Sequence, residues 1–307
     1  MGKFIKHIAI FLFVATLFLS IVEIFVRHIP NSYKHNLEIL EQNRDSAEVM
    51  ILGSSHAKQG INPRCFHQKA INMALDGQGI PIDAFILERY ADNLPNLKYI
   101  ILPVDYQTLY MFDAYGSNDR YMYYNVYYGY EPNAFSIENY EIFHYKSIIQ
   151  KISHFIQGNI HLCDDLGFDT VEDKCTDGSE WMLDYQTVPN LDNPSVFNND
   201  TIYKNIEALN RIAQYAQEND LYLVIVSIPT HHSFYEKTDS VQESFTRCKI
   251  EKIVAKSEKN MYFDYFEMPL DDNDFSDATH LNVYGAEKFS RVLANKLDSI
   301  ELLNAER

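Results

Sequence analysis

The sequence predicts an α/β domain, a parallel β-sheet flanked by helices, carried on an N-terminal membrane span and interrupted by a tyrosine-rich insertion. Three observations predict it. Short apolar runs that end abruptly at glycine, proline or aspartate alternate with segments of helical period, the pattern of buried parallel strands and their crossover helices. A long uninterrupted apolar run occupies the N-terminus. Between residues 106 and 199 the alternation of strands and helices stops.

The apolar run comes first. Lys3, Lys6 and His7 precede residues 8–26, which are apolar except for a few small polar residues and Glu23. That length crosses a bilayer core, with Glu23 falling near its far interface. No small-residue cleavage pattern follows, so the reading is an uncleaved anchor rather than a removed signal peptide. Lysines ahead of the span leave residues 1–7 in the cytoplasm and send the remaining chain outside, to the periplasm or cell surface. Residues 27–47 then read as a polar helical connector and 48–300 as the folded domain.

Within that domain the first strand is 49–52, ending in Gly53-Ser54-Ser55-His56. A second covers 70–75 and runs into Asp76-Gly77-Gln78-Gly79 as a turn, with Pro81 opening a helix to about residue 91. A third, 99–102, is closed by Pro103-Val104-Asp105. After the insertion, a helix over about 200–219 leads into the strongly apolar strand 221–228, which Pro229 ends. A helix over about 240–256, a last strand from Met261 and a helix over 283–297 with Asn282 as its N-cap complete the pattern. The insertion is dense in tyrosine from Tyr121 to Tyr130 and holds the single tryptophan, Trp181. It follows a strand's carboxyl end, where α/β folds bind ligands, and reads as a cap or lid. Its tyrosines suit stacking on sugar rings and, equally, packing on one another.

A content of 46% hydrophobic and 22% charged residues is that of a chain with a packed core. The net charge of −17, from 43 acidic against 26 basic residues, argues against a nucleic-acid binder, which needs clustered lysine and arginine. Cys163 and Cys175 are near enough in sequence for a local disulfide, while Cys65 and Cys248 are far apart, and buried free thiols are an equal reading for them. With no C-x-x-C pair, neither a metal nor a redox cofactor is expected.

The residues that could perform chemistry lie at both ends of the domain. Ser55, directly after a buried strand, stands at the carboxyl edge of the sheet, and Gly53 permits the tight turn. Serine needs a base, and Asp277-Ala278-Thr279-His280 supplies an imidazole with a carboxylate three residues ahead of it to fix its tautomer. Ser55, Asp277 and His280 are therefore the expected triad. The backbone N–H groups of Ser55 and Gly77 are the expected oxyanion donors, with Gly79 a weaker choice. His56, Asn72, Gln78, Asp105 and His231 are candidate substrate contacts at the same edge. Three of them have a bland alternative, His56 as a surface histidine, Asp105 as a turn residue and His231, with its neighbour His232, as an ordinary loop residue, while Asn72 and Gln78 are also candidates for a further oxyanion donor.

Gly53-Ser54-Ser55-His56 resembles the first block of the SGNH/GDSL-like hydrolase superfamily, and Asp277-Ala278-Thr279-His280-Leu281-Asn282 with Gly285 resembles its last. The resemblance implies a three-layer, flavodoxin-like fold and serine-dependent acyl chemistry. Ser54 stands where most of the superfamily has aspartate, a variation resembling the membrane-anchored DltD-like branch and related polysaccharide O-acetylation proteins. The superfamily's Gly-x-Asn-Asp block has no counterpart, since the chain there reads Val104-Asp105-Tyr106. What the resemblance implies is transfer or hydrolysis of an acyl group, acetyl foremost, on a cell-envelope glycan, with a membrane O-acyltransferase as the partner that supplies it. The competing expectations are an inactive scaffold for envelope polymer assembly, suggested by the lost block, and a lipid-directed esterase, suggested by the anchor.

Overall fold

The computed structural model describes residues 2–111, 118–130, 136–172 and 199–305, so Trp181 and Cys175 lie outside the described residues. Its contacts divide the chain into two compact units, Met1–His35 with Ser117–Leu162, and Asn36–Gly116 with Cys163–Arg307.

The larger unit is built on five parallel strands: β1 Val49–Ile51, β2 Ala70–Asn72, β3 Tyr99–Pro103, β4 Tyr222–Ser227 and β5 Asn260–Asp264. They run in the order β2-β1-β3-β4-β5, the doubly wound arrangement whose ligand crevice opens where the order reverses, between β1 and β3. The sheet is apolar on both sides because both are covered. Val49, Ile51, Ile101, Val224 and Val226 join one cluster with Phe289 and Leu293 of the last helix, while their alternate neighbours Met50, Leu52, Ile100 and Ile225 are buried toward the opposite face. β2 stops at Asn72, short of the expected residue 75, because the Asn72 carboxamide takes the N–H of Ala74 at 3.0 Å and turns the chain.

The helices are α1 Gly2–His28, α2 Ser32–Gln42, α3 Ser55–Gly60, α4 Ile80–Tyr90, α5 Asn118–Tyr123, α6 Tyr145–Gln157, α7 Asn199–Glu218, α8 His232–Tyr235, α9 Ser240–Val254 and α10 Val283–Ala305. Asn282 caps α10 as expected, its side-chain oxygen accepting from the N–H of Tyr284 and Gly285.

The acidic stretch after Cys163 is a strap along the free edge of β2. Leu166 O accepts from Asn72 N at 2.8 Å, and Asp169 enters the interior to meet the Lys58 ammonium at 2.9 Å. Asp76 lies 3.3 Å from the same ammonium. Burial alone would lower the Lys58 pKa, yet the two carboxylates raise it above the ordinary lysine value. Cys65 and Cys248 are free thiols, and the Cys163 thiol points to Asn36 Oδ1 at 3.8 Å.

The smaller unit contains α1, which is long and apolar enough to cross a membrane. The tyrosine-rich segment belongs to this unit and not to the sheet domain: Tyr124 and Tyr128 are buried in it, and Tyr33 stacks on Tyr123 with ring centroids 5.0 Å apart. Here the tyrosines pack on one another. Lys151 Nζ bonds Glu141 at 2.7 Å and Tyr127 at 3.1 Å, closing the core of the unit with a buried ion pair.

Candidate active site

Five parallel strands place their carboxyl ends on one edge, so the loops after β1, β2, β3, β4 and β5 meet there. Gly53 begins the turn after β1 with φ of +115°, a conformation that side chains resist. Its N–H donates to Asp83 Oδ1 at 2.8 Å and its carbonyl accepts from Leu75 N at 3.2 Å, tying the loops after β1 and β2 together. Ser55 then opens α3, only partly buried, with its hydroxyl directed across the edge.

The triad residues meet. Ser55 Oγ lies 2.8 Å from His280 Nε2, and His280 Nδ1 lies 2.8 Å from Asp277 Oδ2. With a carboxylate at Nδ1, that nitrogen carries the proton and Nε2 offers its lone pair to the serine hydroxyl. Asp277 also accepts the backbone N–H groups of Thr279 and His280 at 2.8 Å each. Burial alone would raise the Asp277 carboxyl; the bonds from the His280 ring and these amides outweigh it and hold the group well below the usual carboxylate range. The loop is closed at its base by the bridge between Phe275 and Leu281 and by Asn282, whose amide donates to Asn273 O and Phe275 O.

Gly77 lies in the loop that Leu75 ties to Gly53, with φ of +68°. Asn72 and Gln78, expected as substrate contacts, are interior struts. Asn72 is fully buried and its amide donates to Ala57 O and Ile61 O, fastening β2 to α3. Gln78 is buried and donates to Asp83 Oδ1 at 2.7 Å. Asp83 itself was not anticipated. It accepts from both Gly53 and Gln78 beneath the serine turn, and burial pushes its carboxyl up to about 7 against the pull of those two bonds. A charged residue on the apolar face shared with Ile86 and Leu87 was the available signal.

His56 is buried and pairs with Asp105 at 3.0 Å between Nδ1 and Oδ2, so the surface alternative for it does not hold. Asp105 Oδ1 accepts from Ile228 N at 2.8 Å, joining β3 to β4, and Gln107 Nε2 stands 3.4 Å from His56 Nε2. His231 caps α8 through Nδ1 and reaches Asp272 through Nε2 at 3.3 Å. Its backbone N–H donates to Ala278 O at 3.0 Å, so this histidine braces the triad loop. Burial depresses its pKa despite Asp272. His231, His232 and Asp272 lie within 4.8 Å of one another and are the described group closest to a metal-ligand set. The two ring nitrogens of His231 already serve Ser233 and Asp272, which makes the cluster a brace between loops.

No protein-family model matches the chain, and no curated protein matches it. Among solved structures, a protein from Streptococcus pneumonia described provisionally as a platelet activating factor is 10% identical and aligns over 84% of this chain and 91% of its own, with a TM-score of 0.38. That likeness is too distant to carry an argument about chemistry.

Proposed function

We propose that the protein is a membrane-anchored, extracytoplasmic serine acyl-transfer enzyme of the SGNH type, moving an acyl group, acetyl foremost, to or from a cell-envelope polysaccharide. The single observation that carries this reading is the unbroken run of hydrogen-bond distances from Ser55 through His280 to Asp277.

In this mechanism Ser55 Oγ attacks the acyl carbonyl as its proton passes to His280 Nε2. Asp277 stabilises the imidazolium, and the N–H groups of Ser55 and Gly77 receive the oxyanion. His280 returns the proton to the departing oxygen, leaving the acyl group esterified to Ser55. A glycan hydroxyl or water then loses its proton to His280 and attacks that ester, releasing the acylated sugar or the acid and restoring the serine. The membrane O-acyltransferase implied by the family resemblance would be the acyl source, and α1 would hold the domain at the surface where such a partner resides. A lipid ester is the alternative substrate at the same location.

A second reading has its own observation. After β3, where the superfamily's Gly-x-Asn-Asp block has no counterpart, the chain offers Asp105, whose acceptor-only carboxylate is occupied by His56 and Ile228 N. An inactive scaffold for envelope polymer assembly fits that loss. Labelling of the full-length protein by a fluorophosphonate decides between them. Labelling that Ser55→Ala and His280→Ala abolish supports the enzyme, and its absence in folded wild type favours the scaffold. Envelope acetyl content that is equal in cells carrying wild type, Ser55→Ala or His280→Ala would defeat the glycan assignment even for an active serine.

A further inference from the structure

The smaller unit carries an apolar stripe that its own core does not use. At 100° per residue, Tyr145, Ile148, Ile149, Ile152, Phe155 and Ile156 of α6 fall within an arc of about 120°, and Lys146, Gln150, His154 and Gln157 lie opposite. Ile149 is 65% exposed and Ile156 77%. Phe155, on one margin of the stripe, meets Phe25 of α1 edge-on with ring centroids 6.4 Å apart. The stripe is thus continuous with the outer surface of α1, whose apolar window is only 6% buried.

The level of α6 is set by a clip just before it. Glu23 accepts the backbone N–H groups of Glu141 at 3.2 Å and Ile142 at 3.0 Å, while Arg27 pairs with Glu23 and donates to Asn139 O at 3.1 Å. A carboxylate and a guanidinium this far along α1 belong at the edge of the hydrocarbon, where charge is tolerated, rather than inside it. The clip therefore fixes α6 beside the end of the apolar run. Tyr140, Phe143 and Tyr145, all exposed around it, are aromatic residues of the kind that settle at headgroup depth.

We infer that α6 is an interfacial helix, lying flat with Ile149 and Ile156 sunk into the lipid surface around α1. This rests on reading α1 as a bilayer span. It would give the smaller unit a second, non-covalent hold on the membrane beside α1.

The test uses the full chain with Trp181→Phe, reconstituted in phosphatidylcholine vesicles whose acyl chains are brominated either near the ester end or near the middle. One tryptophan is placed at a time, by Ile149→Trp, Ile156→Trp, Lys146→Trp or Phe18→Trp. The first two should lose about half their emission to bromines near the ester end, as a helix buried about 5–10 Å into the headgroup and acyl boundary requires. Lys146→Trp should stay bright, and Phe18→Trp should be quenched best by mid-chain bromines. Quenching at 18 with none at 149 or 156 overturns the inference and leaves the span intact. Quenching at 149 and 156 without quenching at 18 removes the span, and with it the placement of α6 around a spanning α1, and so overturns the inference at its premise. Full emission at all positions removes both.

Discussion

The imidazole of His56 stands edge-on to that of His280, with ring centroids 4.6 Å apart and planes at 89°. In the proposed mechanism His280 becomes a cation when it takes the Ser55 proton, so the charge and position of its neighbour matter. Asp105 holds the His56 Nδ1 proton in place, and the backbone N–H of Ile228 holds Asp105. His56→Ala removes the wall behind the base, and the labelling rate is expected to fall about 10- to 100-fold through misplacement of His280. His56→Phe, which restores the wall without the polar atoms, should recover most of it. A stopped-flow fluorophosphonate assay across the three proteins checks this. A His56→Phe rate as low as that of His56→Ala would assign His56 a polar role in the reaction.

Asp277→Asn preserves the size of the side chain and allows the His280 ring to adopt the wrong tautomer, so a fall of about 10⁴ in acylation rate is expected. The same substitution tests the electrostatics. A carboxyl held below its ordinary range contributes stability that is present above the unfolded pKa, about 3.9, and is lost as pH falls through the lower folded value. Melting temperatures of wild type and Asp277→Asn should therefore differ at pH 5–8, and the difference should shrink progressively as the pH falls below about 4 toward the lower folded value. Because Asp277 stays ionised over that working range, its own titration should not shape the pH profile of activity there.

How far the sequence was legible follows from which interactions are local. β1, β3 and β4 were readable because parallel strands covered on both faces are apolar nearly throughout, whereas the edge strand β5, half-buried between Asn260 and Asp264, shows only its Met261-Tyr262-Phe263 centre. Ser55, Asp277 and His280 were readable as a set because strand ends and a three-residue spacing confine them, although their meeting depends on 225 residues of intervening fold. His56 was not readable, since the partner that makes its burial tolerable, Asp105, lies 49 residues away with no local mark. Lys58 is similar: a lysine in an exposed-looking tetrad after the serine is buried because Asp169, on the acidic strap, comes in to meet it. The partners of the insertion are the least legible part. Its tyrosines sit at helical spacing, but nothing in the sequence indicates that Tyr33 and Lys151 are what they pack on.

Gly285 lies at the first turn of α10, where an added Cβ would stand 2.2 Å from Asp274 O. That carbonyl accepts from Asn282 N at 3.0 Å and cannot retreat without opening the cap of α10 and the base of the triad loop. Gly285→Ala is expected to destabilise by about 1–3 kcal/mol, the usual cost of overpacking. It should also slow labelling more than any change in stability explains, because the strain falls on the segment that carries Asp277. Comparing unfolding with labelling rate well below the melting temperature separates the two effects.

Asp83 gives the protein an unusual response to alkali. Its carboxyl, buried beneath the Ser55 turn, sits at about 7 in the folded state and near 3.9 when unfolded. Between those values the folded state holds a proton that the unfolded state has released, so this group's contribution to stability declines as pH rises from about 4 to about 7 and is constant above. The loss is on the order of 4 kcal/mol. Both donors, Gly53 N–H and the Gln78 amide, converge on Oδ1, and an amide oxygen can accept both. Asp83→Asn should thus match wild type near pH 4 and melt at a higher temperature at pH 8, with acylation by Ser55 retained because the turn keeps its acceptor. Thermal unfolding of the detergent-solubilised full chain at the two pH values measures the difference. A variant less stable than wild type at pH 8 would mean that the carboxylate is ionised and held by partners stronger than these two bonds.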